Sequence, residues 1–349
     1  MRQSILCMVL VASCAAAPAI AVAPPVPAPT SGEPPSGPIV SAFYYPWFAT
    51  TVEDGSNAHW AQDGHSPPND IASSYYPALG VYSSENPAVL DDQMQEIQRA
   101  GIDQIAVSWW GEGSPEDQRL EGVIQAADAR GIDVAVHIEP YTGRTVASVG
   151  ADVAYLETLG VRTIFVYLPF TLPAASWAPL NDALHAQGVT TFGQTALVGQ
   201  DVAAHFSGVY TYDIVTWTAD KFLRLCEEAH EHGLLCAPSV GPGYDARRAT
   251  GDPYVKPRRH GFTYDTMWRD AIAADADEVT ITSFNEWQEG TQIEPAAPPA
   301  RRAGYAYGSY NGAWGLDGAA AETAYLDRTA FWATLFRKLR GPAAYGGPT

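Results

Sequence analysis

The chain has 349 residues, 46% of them hydrophobic and 17% charged, which is enough apolar material to bury a core of barrel-domain size. A formal net charge of −19 repels phosphate backbones and anionic head groups, and so argues against nucleic acid as a partner. With 10 Trp, 18 Tyr and 11 Phe beside so few charges, the composition favours a neutral ligand with apolar faces, as sugars have.

In chain order, Met1-Arg2-Gln3 and the apolar run Ile5 to Val11 read as an export signal over residues 1–23, too short to span a bilayer. Ala19-Ile20-Ala21 and Ala21-Val22-Ala23 are ordinary small-x-small cleavage sites, while Val11-Ala12-Ser13-Cys14 resembles a lipoprotein processing box. The expected product is therefore exported, either released into the periplasm or medium or held at the cell surface by a lipid, its only membrane contact. Residues 24–38, dominated by Pro, Ala, Gly and Ser, form a semi-rigid tether before a single folded domain at 39–341, expected to be monomeric. With Cys7 and Cys14 in the leader, the body keeps Cys226 and Cys236. One lies in a helical stretch and the other in a strand, so two buried thiols are expected, with a bridge as the alternative.

Within the body, apolar strand-like runs alternate with amphipathic helical stretches. The strands are expected at Val40–Tyr44, Gln104–Trp109, Val134–Ile138, Thr163–Leu168, Thr190–Phe192, Gly208–Thr211, Leu234–Pro238 and Glu278–Phe284. Helices are expected at Ala88–Ala100, Glu116–Ala129, Val146–Leu159, Ala174–Gln187, Val198–Ala204, Ala219–Glu231, Tyr264–Ala274 and Glu322–Leu339. Gly101, Gly131, Gly160, Gly188 and Gly233 each stand between a helix and a strand, where a left-handed cap belongs. Eight such units predict an α/β fold, a (β/α)8 TIM barrel whose chemistry gathers beyond the C-terminal strand ends.

The residues there are aromatic and acidic: Tyr45 and Trp47, Trp110, Glu139, Tyr210 and Tyr212, and after the last strand Asn285-Glu286-Trp287-Gln288-Glu289. Rim aromatics can simply cap a core, but core packing gives no reason for Glu139, Glu286 and Glu289 to stand there. Ser283 to Glu294 holds three carboxylates, three amides and a tryptophan. Glu286 and Glu289, three residues apart beyond one strand, should repel each other and raise at least one pKa, with Trp287 excluding water between them. A carboxylate-and-aromatic cup suits a pyranose. No nucleophile elbow, P-loop or dinucleotide fingerprint occurs in a fitting context, and His230 and His232 point to different helix faces, so neither cofactor nor metal is expected.

These residues carry a family resemblance. Phe43-Tyr44-Tyr45-Pro46-Trp47, His59-Trp60, Tyr76 to Ser84, Ser108-Trp109-Trp110, His137-Ile138-Glu139-Pro140-Tyr141-Thr142-Gly143-Arg144, Tyr210-Thr211-Tyr212, Pro238 to Tyr244 and Ser283 to Glu294 resemble glycoside hydrolase family 99, the endo-α-1,2-mannosidases and endo-α-1,2-mannanases. The likeness runs from about Phe43 to Pro295. It implies a retaining endo-acting barrel enzyme that cleaves internal α-1,2-mannosides of α-mannan or high-mannose glycans through a 1,2-anhydro sugar formed by the substrate's own 2-hydroxyl. Carried over, Glu286 is the base on that hydroxyl and Glu289 the general acid. Tyr45, Trp47, His59, Trp60, Trp110, Glu139, Arg144, Tyr210, Tyr212, Tyr244, Asn285, Trp287 and Glu294 become substrate contacts, with Trp110 the stacking platform. Arg144 as a rim ion pair and Glu294 as a loop support are the plain alternatives. Gln288 departs from the family, standing where His is expected in animal members. Two rival readings are a conventional glycosidase using Glu139 and Glu289, and a non-catalytic glycan-binding barrel.

Overall fold

The computed structural model describes residues 37–195 and 197–340; the expected signal at 1–23 and the tether as far as residue 36 lie outside the described residues. Its first strand, β1 (Ile39–Tyr44), is buried almost throughout, as a strand covered on both faces by a parallel fold must be. It is followed by β2 (Gln104–Trp109), β3 (Asp133–Ile138), β4 (Thr163–Val166), β5 (Thr190–Gln194), β6 (Gly208–Tyr210), β7 (Leu235–Ala237), β8 (Ser239–Val240) and β9 (Glu278–Ile281). All neighbours are parallel, in the order β7-β6-β5-β4-β3-β2-β1-β9-β8. The two ends of that order are successive pieces of one stretch, 235–240, split at Pro238. Proline has no N–H to donate to the ladder, so the stretch pairs with β6 before the break and with β9 after it. The sheet thereby closes on itself into the predicted eight-staved barrel.

The helices α1 (Pro87–Arg99), α2 (Pro115–Asp128), α3 (Val146–Thr158), α4 (Ala178–His185), α5 (Val198–Ala204), α6 (Phe222–Glu231) and α7 (Phe262–Ala273) alternate with the strands, and Ala324–Arg340 completes the ring. Their starts are written locally: Asn86 and Ser114 cap α1 and α2, each with a proline in the first turn, and Thr145 with Ser148 forms a capping box on α3. The five inter-element glycines all adopt positive φ, from 67° to 89°.

Side chains sort by strand alternation. Val40, Ala42 and Tyr44 face the helical layer. Phe43 and Tyr45 join Phe165, Phe192, Tyr210 and Tyr212 in a second cluster inside the barrel, where Ala106, Ala135 and Ala237 make room for the rings. That aromatic plug is the floor on which the site is built.

The cysteines correct the sequence reading. Cys226 of α6 and Cys236 of β7 are disulfide-bonded, with Cα atoms 5.2 Å apart. A helix and the strand that follows it run antiparallel and pack face to face, so residues ten apart across the Gly233 turn meet; differing element types were no obstacle.

Candidate active site

Beyond Ile281 the last strand's direction is carried on by hydrogen bonds to both neighbours: Thr282 N–H donates to Val240 O (2.9 Å) and Phe284 N–H to Phe43 O (2.9 Å). The chain then makes a loop that returns to its own start, with Ser283 N–H on Thr291 O (3.0 Å) and Glu294 N–H on Phe284 O (2.8 Å). Inside the loop, Ser283 Oγ accepts from Glu286 N–H at 2.8 Å and pairs with Thr291 Oγ1 at 2.9 Å. Asn285 grips the backbone of Tyr45 from both sides, accepting its N–H (2.7 Å) and donating to its carbonyl (3.1 Å). The loop is thus tied to β1, and Glu286 stands over the aromatic plug.

Glu286 is only 6% exposed, and Tyr212 donates its phenol to Glu286 Oε2 at 2.5 Å. Tyr212 in turn is hydrogen-bonded to the Tyr45 hydroxyl, giving a Tyr45–Tyr212–Glu286 relay. Burial, then the Glu286 charge, holds the Tyr212 phenol far above its ordinary range, so it remains a neutral donor. Burial first and repulsion from Glu289 second push Glu286 well above the usual carboxylate range, against the Tyr212 hydrogen bond that favours its charged form. Glu289, less deeply set, is pushed up to about 7 by burial, with Asp213 and Glu139 adding to the rise and a hydrogen bond to Glu286 opposing it. Two carboxyls that interact in this way titrate as a pair, with the protonated form favoured above the usual carboxylate range.

Around them, Glu139 accepts from Ser108 Oγ (2.7 Å) and stands 3.1 Å from His137 Nδ1. His137 stacks over Tyr212 at 5.5 Å and 17°, and its Nε2 is bonded to Tyr210 at 2.8 Å. Tyr244 holds Asp252 through its hydroxyl at 2.7 Å. Trp47 stacks on His59 at 4.3 Å and leans on Tyr45 at 4.5 Å. Burial and the Arg119 charge push His59 down to about 4, so it is neutral at physiological pH. Gln288 donates to the His59 carbonyl at 3.2 Å and ties this aromatic wall to the loop that carries Glu286 and Glu289. Trp110, 39% exposed, is the open ring at the rim.

Several expected contacts lie behind the cup. Trp287 is fully buried and turns its indole N–H to Glu294 at 2.6 Å, so it is a support and does not screen the two glutamates from water. Glu294 also accepts from Gln93 (2.7 Å) and Tyr82 (2.9 Å); burial pushes it up to about 7 despite three donors that favour the anion. Trp60 stacks on Phe48 at 4.1 Å and donates to Tyr82 O, which makes it core. Asn285 is spent on the Tyr45 backbone, and Tyr210 sits below the cup in the barrel plug. Arg144 forms no ion pair among the described residues; it clamps the carbonyls of Ile138, Tyr167 and Leu168.

Sequence reasoning passed over Tyr167, the residue just beyond β4. It packs on Tyr212 at 5.2 Å, and the charges of Glu289, Glu139 and Glu286 add to burial in raising its pKa. The expected strand Thr163–Leu168 ran past the observed end at Val166 and so hid Tyr167 inside it. Asp213 and Asp252, whose charges reach Glu289, were missed as well. Among the described residues, no three His, Cys, Asp or Glu side chains are grouped to hold a metal ion.

A parallel barrel that raises two carboxyls of elevated pKa at its C-terminal rim, ringed by aromatics and tyrosine hydroxyls, is the arrangement of a glycoside hydrolase, and this protein is one. The pattern that defines glycosyl hydrolase family 99 matches residues 37–338. The chain is 33% identical over 322 residues to a glycoprotein endo-alpha-1,2-mannosidase-like protein of Danio rerio, covering 74% of this chain and 71% of that one. It is 28% identical to the glycoprotein endo-alpha-1,2-mannosidase of Mus musculus, over 88% of this chain and 77% of the other. Its fold matches the GH99 endo-alpha-mannosidase from Bacteroides thetaiotaomicron with a TM-score of 0.78 and 30% identity, across 86% of this chain and 98% of that structure. The chain belongs to glycosyl hydrolase family 99.

Proposed function

We propose that the enzyme hydrolyses internal α-1,2-mannosidic bonds of α-mannan or high-mannose glycans with assistance from the substrate's 2-hydroxyl. The observation that carries this reading is the Tyr45–Tyr212–Glu286 relay beside Glu289. Glu286 is held from below by a neutral phenol, which leaves its other oxygen to take a hydroxyl proton. In the first step Glu286 removes the proton from O2, O2 bonds to C1, and the C1–oxygen bond to the leaving sugar breaks as Glu289 protonates that oxygen. In the second, Glu289 takes a proton from water, the water oxygen bonds to C1, and the C1–O2 bond opens as Glu286 returns the proton to O2. Two inversions give retention. Glu139, which accepts from Ser108 and stands beside His137, orients the cup in this scheme.

Trp110 at the rim is the natural stacking face for the sugar on the non-reducing side. The disulfide between Cys226 and Cys236 accords with export, since such bonds persist in oxidising compartments. The test is digestion of a trisaccharide with an α-1,3-linked disaccharide attached α-1,2 to mannose, by wild type, Glu286→Gln and Glu289→Gln. Release of the intact disaccharide by wild type, lost in both variants, is expected. Absence of that disaccharide, or a sugar ester trapped on Glu139, refutes the scheme.

A further inference from the structure

Arg258 is a buried guanidinium with no carboxylate partner among the described residues. Its Nη2 donates to two carbonyls of the catalytic loop, Gly290 O at 2.9 Å and Gln292 O at 2.7 Å. The charge is boxed by tyrosine rings, with Cζ 4.7 Å from Tyr75, 4.8 Å from Tyr310 and 4.7 Å from Tyr325. Among the described residues, neither Nε nor Nη1 meets an acceptor with hydrogen-bond geometry. Taking a cation out of water without an anion is costly, and three ring faces offset that only in part. An apolar side chain would fill the box at lower cost. What it could not supply is a donor that joins two carbonyls of one turn.

That turn follows Glu289 directly. The Glu289 carbonyl accepts from Asp245 N–H at 2.7 Å, and the next residue, Gly290, adopts φ +64 tight against Asp245. The Gln292 carbonyl also accepts from Tyr310 at 3.1 Å. Gly243 is part of the same device: a Cβ there would lie 2.7 Å from Arg258 Cγ, so glycine alone lets the arginine stem cross towards the loop. The backbone from the Glu289 carbonyl onward is therefore pinned by groups from outside the barrel sheet, and Arg258 supplies two of the bonds.

We infer that Arg258 is a positioning residue for the general acid: it sets the height and aim of Glu289 through the Gly290–Gln292 carbonyls, and it does not touch the sugar. The inference rests on the reading of Glu289 as the acid. It separates from mere structural support because in the first step, which kcat/KM reports, a misplaced acid matters only when the leaving oxygen needs a proton.

The experiment compares Arg258→Met and Arg258→Lys on two substrates, the trisaccharide above and the same disaccharide as its α-fluoride, with Glu289→Gln run in parallel. On the trisaccharide, kcat for Arg258→Met is expected to fall about 100-fold with KM little changed, as a misplacement of about 1 Å in a reacting group produces. On the fluoride, which departs without a proton, kcat/KM, which does not include the later attack of water, stays within about twofold of wild type. Arg258→Lys, which keeps the cation in its box but reaches one carbonyl, shows the same selectivity with a smaller loss, and decides the matter should the Met variant not fold. If Glu289→Gln spares kcat/KM on the fluoride but the Arg258 variants lose kcat/KM equally on both substrates or on neither, the inference about Arg258 is overturned while the role of Glu289 stands. If Glu289→Gln itself loses equally on both, the two fall together.

Discussion

Replacing Tyr212 with Phe removes a single oxygen from the base's surroundings. The ring would keep its packing on Phe43 at 4.9 Å, Tyr167 at 5.2 Å and His137 at 5.5 Å. What disappears is the 2.5 Å hydrogen bond to Glu286 Oε2 and the partner of the Tyr45 hydroxyl. A buried hydrogen bond to a carboxylate contributes about 1.5–3 kcal/mol to the charged form. That bond opposes the upward push of burial and of Glu289 on Glu286, so its loss raises Glu286 further, by about one to two pH units at 1.36 kcal/mol each. A base with a higher pKa is protonated, and idle, to a higher pH. The acid limb of kcat/KM against pH should therefore move up by about one to two units, with a loss of about 10- to 100-fold on that limb and a smaller one above it. The assay is trisaccharide hydrolysis from pH 4 to 9 alongside a thermal melt. An acid limb that stays in place in a folded variant would refute the assignment of Glu286 as the base.

Stability should fall as pH rises through the window from about 4.5 to about 7. Glu278 under β1 is held at about 7 by burial, partly opposed by Ser41, so the folded state binds more protons there than the unfolded chain; Glu278→Gln should flatten the melting profile by roughly 3 kcal/mol across the window. Replacing both Cys226 and Cys236 with Ala should lower unfolding free energy by about 3 kcal/mol, the entropy of closing a ten-residue loop, and leave kcat unchanged because the bond lies between α6 and β7. Trp110→Ala should raise KM for the trisaccharide about three- to tenfold with little change in kcat, as loss of about 0.5–1.5 kcal/mol of ring contact implies; an unaltered KM places the platform elsewhere.

Much of this molecule is written locally. The eight staves, the glycines that end the helices and the caps that start them follow from period, propensity and turn chemistry within a few residues, and β1 through β6 lie where the pattern puts them. The rule that barrel chemistry sits past the strand ends also found Glu286, Glu289, Glu139 and Trp110; Tyr167 escaped it because the fourth strand was expected to run to Leu168 and ends at Val166.

Direction was not legible in the same way. Glu286 and Glu294 belong to one twelve-residue motif, yet the first faces the cup and the second is buried by Tyr82 and Gln93, 212 and 201 residues away. Arg258 reads as one basic residue in a Pro-Arg-Arg run until three distant tyrosines close around it. The sequence by itself determined the barrel and which strand end carries the acids, because backbone periodicity is a short-range property. Only the tertiary structure decided which side chains of that loop meet a sugar, which support it and that two cysteines bond, because irregular loops have no period and take their orientation from partners far along the chain.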